Sequence, residues 1–204
     1  MFRFVYAWQP GDAWESLAAD GFVGVECDGP APDGAAHVGT RQNAGAPVAA
    51  AEGYVIVPPP SLPASAAGRV LRDLADQRPD ERLLVESGGA FTSAHALWTL
   101  MEATRHPRVG VALDLDASRR AGEVPSVLVP TLHLRIGLVR VHAPADDLSG
   151  YAKRLAGVGF YGWVVLDPPA GDDRPAAART LAATFREIFP AKPPKKAAVT
   201  KPGR

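Results

Sequence analysis

Leu83-Leu84-Val85-Glu86, Val109-Gly110-Val111-Ala112-Leu113-Asp114, Leu138-Val139-Arg140-Val141-His142 and Gly162-Trp163-Val164-Val165-Leu166-Asp167 decide the fold. Each is a short run dominated by Val and Leu that ends in one ionisable side chain. Runs of this kind are how strands buried on both faces of a parallel sheet read in sequence. Their last residues, Glu86, Asp114, His142 and Asp167, stand 28, 28 and 25 residues apart, one strand–helix unit each. The gaps hold helical periods. Ser93–Ala103 follows a Thr-Ser cap signal and sets Leu97, Leu100 and Met101 on one face. Asp147–Leu155 behaves similarly, and Ala176–Phe189 repeats the pattern after the last run with Leu181, Phe185 and Ile188.

Working outward, Phe2–Ala7, Phe22–Glu26 and Tyr54–Val57 read as three more strands, and Asp12–Ala19 and Ala66–Ala75 as helices. Strand–helix alternation at this interval predicts a parallel sheet of βαβ units. An eighth strand is expected in His37–Gln42, inside a Gly/Pro/Ala-rich irregular segment over residues 28–53. Eight strands close a compact α/β (β/α)8 TIM barrel, small beside the usual ~250 residues. The alternative is an open doubly wound sheet, but no glycine-rich dinucleotide fingerprint or phosphate loop supports one.

The 204 residues suit one barrel domain, residues 1–189, followed by a Pro/Lys-rich tail, 190–204, expected to be disordered. Five of the 22 basic residues lie in that tail and none of the 22 acidic ones, so the body is net acidic by five. A nucleic-acid partner is therefore not expected, because binding one needs a basic face. Nor is a membrane, since no apolar run reaches the ~18 residues of a span. Met1–Trp8 lacks the features of a secretory signal, and the lone Cys27 excludes an internal disulfide, so a cytoplasmic location is expected.

In a barrel, the C-terminal strand ends converge on one mouth, where sites are built. Glu86, Asp114, His142 and Asp167 would meet there. Three carboxylates and an imidazole suit one oxygen-seeking divalent ion such as Mn²⁺, Mg²⁺ or Co²⁺. A cation would also relieve the mutual repulsion of the carboxylates. The structural alternative is that these residues cap the barrel or pair with nearby arginines.

The ordered series of motifs resembles the xylose-isomerase-like barrels, which include sugar phosphate isomerases and epimerases. Gly21-Phe22-Val23-Gly24-Val25-Glu26, Leu84-Val85-Glu86-Ser87-Gly88-Gly89, Val109–Asp114, Val139-Arg140-Val141-His142 and Gly159–Asp167 carry it. The resemblance implies that Glu86, Asp114, His142 and Asp167 hold one divalent metal and that Glu86 and Asp167 exchange the proton. The reaction would run through an enediolate, because a metal on a carbonyl and its neighbouring hydroxyl acidifies the C–H between them. It also implies a small carbohydrate-like ligand and leaves room for a homo-oligomer. Candidate ligand contacts in this chain are Trp8, which ends the first strand and either stacks a sugar ring or packs in the core, with Glu26 and Asp116 as polar groups.

The departures point the other way. Asp167 is one methylene shorter than the family's Glu, Ala117 replaces a substrate-contacting His, and Ala143–Asp146 lacks the family's Lys. No substrate-binding Arg is evident after His142, and the strand 2–4 region is compressed. The second reading is thus a non-catalytic barrel relative, kept for binding a ligand or partner. A substrate-sized, water-excluding pocket around Glu86 and Asp167 is expected of an enzyme, and a collapsed or arginine-plugged funnel of the binding relative.

Overall fold

The computed structural model describes residues 3–9, 11–27, 31–41, 53–143, 148–171 and 173–188. Eight parallel strands close into a barrel in chain order. They are β1 (Arg3–Ala7), β2 (Gly24–Glu26), β3 (His37–Arg41), β4 (Tyr54–Val57), β5 (Leu83–Glu86), β6 (Val109–Asp114), β7 (Ile136–Val141) and β8 (Trp163–Leu166). β8 pairs back onto β1, with Phe4 opposite Val164 and Val5 opposite Val165, which leaves no open edge. The fold is the expected α/β barrel, and the eighth strand lies in the irregular segment as β3.

The helices among the described residues are α1 (Trp14–Ala19), α2 (Ala64–Asp76), α3 (Ala94–Thr104), α4 (Leu115–Arg120), α5 (Pro125–Leu132), α6 (Leu148–Gly157) and α7 (Arg174–Ile188). Neither α4 nor α5 was expected. Gly122 and two prolines, Pro125 and Pro130, obscure the helical period there. α5 nevertheless forms, with one proline in its first turn, where a missing N–H costs little. Between β2 and β3 the described residues contain no helix, in line with the compression expected of that quarter. Phe2, Gln42, Asp146, Asp147, Phe189 and the tail at 190–204 lie outside the described residues. No helix among the described residues is long and apolar enough to cross a membrane.

The period-two alternation of strand side chains builds two cores. Val5, Tyr54, Ile56, Leu84, Ala112, Leu138 and Val165 face inward and fill the barrel. Their neighbours, among them Phe4, Tyr6, Val85, Leu113, Val139 and Leu166, face outward and pack under the helices. The interior is narrow. A Cβ on Gly39 would sit 2.1 Å from the Tyr54 ring, so only glycine leaves room for that tyrosine. Two residues beyond the inward apolar layer the same parity selects Ala7, Glu86, Asp114, Arg140 and Asp167, which form the layer beneath the C-terminal mouth.

Candidate functional site

The strand ends converge at the C-terminal mouth as the sequence suggests. Glu86 ends β5, Asp114 ends β6, His142 follows β7 and Asp167 follows β8. Two of them, Glu86 and Asp167, face a guanidinium. Arg140, only 2% exposed, projects from β7 into this ring. It makes a short ion pair through Nη2 with Glu26 Oε1. Its Nη1 donates to Asp167 Oδ2 at 3.2 Å, and its Nε lies 3.9 Å from Glu86 Oε1. Burial alone would lower the Arg140 pKa, but the charge and hydrogen bond of Glu26, then the charge of Asp167, raise it above the ordinary guanidinium value. Glu26 is itself held by the buried Tyr54 hydroxyl, which donates to Oε2 at 2.8 Å. Burial and the adjacent Glu26 charge push the Tyr54 phenol well above its usual range, so it serves as a fixed donor.

A second arginine closes the ring. Arg174, in the first turn of α7 and 5% exposed, donates to Asp167 Oδ1 at 3.3 Å and to the Ala7 carbonyl at 2.9 Å. Its Nη1 lies 3.7 Å from Asp12 Oδ2, which also accepts from the Tyr6 hydroxyl at 2.9 Å. Each Asp167 oxygen thus faces a different guanidinium. Arg174 thus reaches the strand-end layer from α7 rather than from the loop beside His142.

His142 and Asp114 face each other rather than a common point. Asp114 caps α4, with Oδ1 accepting the Ala117 N–H at 2.8 Å, and its Oδ2 lies 3.2 Å from His142 Nε2. His142 Nδ1 lies 3.1 Å from the Asp167 carbonyl oxygen. Both neighbours accept only, so the geometry is satisfied by the doubly protonated imidazolium. The hydrogen bond to Asp114 raises the His142 pKa; burial and Arg140 oppose the rise, and the charges of Asp114 and Asp167 add to it. Burial would raise the Asp114 carboxyl, but the bonds from His142 and the Ala117 N–H, with nearby positive charge, carry it below its ordinary value.

Trp8 and Glu26 line an open cleft of about 140 Å³ together with Ala7, Gln9, Cys27, Arg140 and Asp167. The Trp8 indole N–H is fixed by the Asp12 carbonyl at 3.2 Å, which orients the ring at the rim. Asp116 is elsewhere. It is buried in α4, accepts the His142 backbone N–H at 3.0 Å and lies 3.3 Å from Arg119 Nη2. Its place is to fix the strand end rather than to line this cleft.

The four strand-end residues have the donor chemistry of a divalent site, but their arrangement does not fit a divalent ion. Arg140 carries the positive charge at the centre, Asp114 is divided between a helix cap and His142, and both Asp167 oxygens face arginines. Among the described residues no group of three or more His, Cys, Asp or Glu is arranged to hold a metal. Arg140 is the feature that sequence reading passed over. Its signal is an arginine at an inward position of an otherwise apolar buried strand, two residues after Leu138. A buried guanidinium requires acidic partners nearby.

No protein-family profile and no curated protein matches the chain. Solved structures do. The fold is similar to 3-keto-D-glucoside 4-epimerase from E. coli in its apo form, at TM-score 0.67 and 12% identity, over 92% of this chain and 100% of that one. A fusion of a xylose isomerase-like TIM barrel with a 4-hydroxyphenylpyruvate dioxygenase aligns at TM-score 0.68 and 17% identity, over 92% of this chain and 42% of that one. The IolI protein, whose structure holds a zinc atom, aligns at TM-score 0.52 and 15% identity, over 66% of this chain and 60% of that one. At these identities the likeness is one of fold: this chain shares the eight-stranded barrel of those structures.

Proposed function

We propose that this barrel binds a small, carbohydrate-like ligand at its C-terminal mouth and does so without metal-assisted proton transfer. The observation that supports this reading is the Arg140 guanidinium standing among Glu26, Glu86 and Asp167. A carboxylate that is to take a proton from carbon needs a free oxygen within about 3 Å of that carbon's hydrogen. Here both Asp167 oxygens face guanidinium groups. The same groups suit binding. Glu26, Asp167 and Gln9 present acceptors and donors to hydroxyls around the cleft, and the Trp8 ring offers an apolar face of the kind that a sugar's C–H surface covers.

The second reading, a divalent-metal sugar isomerase or epimerase, is favoured by one specific observation. Glu86, Asp114, His142 and Asp167 end or directly follow four consecutive strands in the order that the family resemblance implies. A ligand screen by thermal unfolding, with neutral sugars and polyols in the presence of chelator, separates the two. The binding reading expects a stabilising sugar whose effect is lost in Trp8→Ala and is indifferent to chelator. Turnover of a ketose or aldose that depends on added Mn²⁺ or Co²⁺ would overturn it.

A further inference from the structure

The N-terminal end of the barrel carries a second charged cluster that the mouth does not use. Arg3 opens β1 and Arg82 immediately precedes β5, on diametrically opposed walls of an eight-stranded barrel. Each stands two residues before an inward-facing residue, Val5 and Leu84, so both belong to the inward row. The intervening wall is cut back to make room. Gly110 and Gly137 are the second residues of β6 and β7. A Cβ on Gly137 would lie 3.2 Å from Arg82 Cζ, and one on Gly110 3.6 Å from Arg82 Nη2. On the other side Arg3 lies over the Trp163 ring, 4.2 Å from its centroid, and spends one N–H on the Tyr161 carbonyl at 3.1 Å.

Among the described residues, no carboxylate lies within 4.0 Å of either guanidinium. Arg82 is half-buried, and burial together with the charge of Arg3 pulls its pKa below the ordinary guanidinium value. Arg3 is exposed at the start of β1, and an anion between the two like charges relieves their repulsion. The fork of N–H donors on each guanidinium matches a tetrahedral oxyanion.

We propose that Arg3 and Arg82 form an oxyanion site at the N-terminal mouth that takes a phosphate group, free or carried on a small organic phosphate. It is independent of the ligand reading for the other mouth. The test is thermal unfolding of the full chain at constant ionic strength in inorganic phosphate, glycerol phosphate or chloride. Saturable stabilisation by a phosphate and not by chloride is expected. The half-saturating concentration should rise about tenfold or more in Arg3→Gln and in Arg82→Gln, and stay unchanged in Lys153→Gln, at an exposed position of α6. Stabilisation by both phosphates assigns the site to the phosphoryl group itself, and by glycerol phosphate alone to an organic phosphate. As a check that needs no variant, ³¹P line broadening of phosphate by the wild-type protein should be reversed by sulfate and not by chloride. Absence of a saturable phosphate effect, or an equal effect in both arginine variants, would overturn the proposal.

Discussion

Arg140→Met should be among the most damaging single changes in the chain, and the conditions that repair it identify the cause. The guanidinium is 2% exposed and Glu26 is 5% exposed, whereas Glu86 and Asp167 are each 21% exposed. Removing one partner of a buried ion pair costs about 3–5 kcal/mol, because the remaining charge is left uncompensated. Asp167 keeps Arg174 and Glu26 keeps Tyr54, which argues for the lower end, about 3 kcal/mol. For a domain of this size that is a fall in Tm of about 6–12 °C. The sign of the pH dependence follows. Orphaned carboxylates take up protons more readily in the folded than in the unfolded variant, so the deficit should shrink as pH falls from 7 toward about 4.5. A divalent ion should do the same work. Mn²⁺ at a hundred times its dissociation constant would restore about 2.7 kcal/mol. The assay is urea unfolding of wild type and variant at pH 7 and pH 5, with and without Mn²⁺. A variant as stable as wild type, or a deficit that neither acid nor Mn²⁺ reduces, would refute the reasoning.

Other consequences can be checked separately. The His142 imidazole should titrate above about 6.5 by NMR and move down in Asp114→Asn, since the hydrogen bond to Asp114 is the main cause of the rise. The stability that it lends is therefore complete below about 6.5 and lost as pH rises through its folded value, while the Asp114 share is lost as pH falls through its own depressed value. Tyr54→Phe removes the 2.8 Å bond to Glu26 and should cost about 1–3 kcal/mol in urea unfolding. Gly39→Ala places a methyl 2.1 Å from the Tyr54 ring and should cost about 3 kcal/mol, with recovery in a Gly39→Ala, Tyr54→Leu double variant.

The barrel was legible because its rules are local. Short apolar runs, their spacing and their polar ends can be read within single strand–helix units, and with seven runs visible an eighth was expected in His37–Gln42, where β3 lies. α4 was not, because Asp114 serves at once as a strand end and as the cap of the helix that follows. The four strand-end residues were legible as a group, but their partners were not. Arg140 meets Glu26 across 114 residues, and Arg174 reaches Asp167 from the next helix. No local spacing reveals such pairs. The readable trace was parity: a charge in the inward row of β7 has to be compensated by the acids that face it. In the mouth that the fold builds, those acids are Glu26, Glu86 and Asp167 around Arg140.

The most direct test is the metal content of the protein, by elemental analysis of preparations grown with Mn²⁺, Co²⁺ and Zn²⁺, followed by calorimetric titration of wild type, Arg140→Met and Glu86→Gln. If Arg140 supplies the positive charge of the mouth, the wild type carries no stoichiometric divalent ion and binds none at micromolar concentration, while Arg140→Met gains a site. One metal per wild-type chain, lost in Glu86→Gln, would contradict that account.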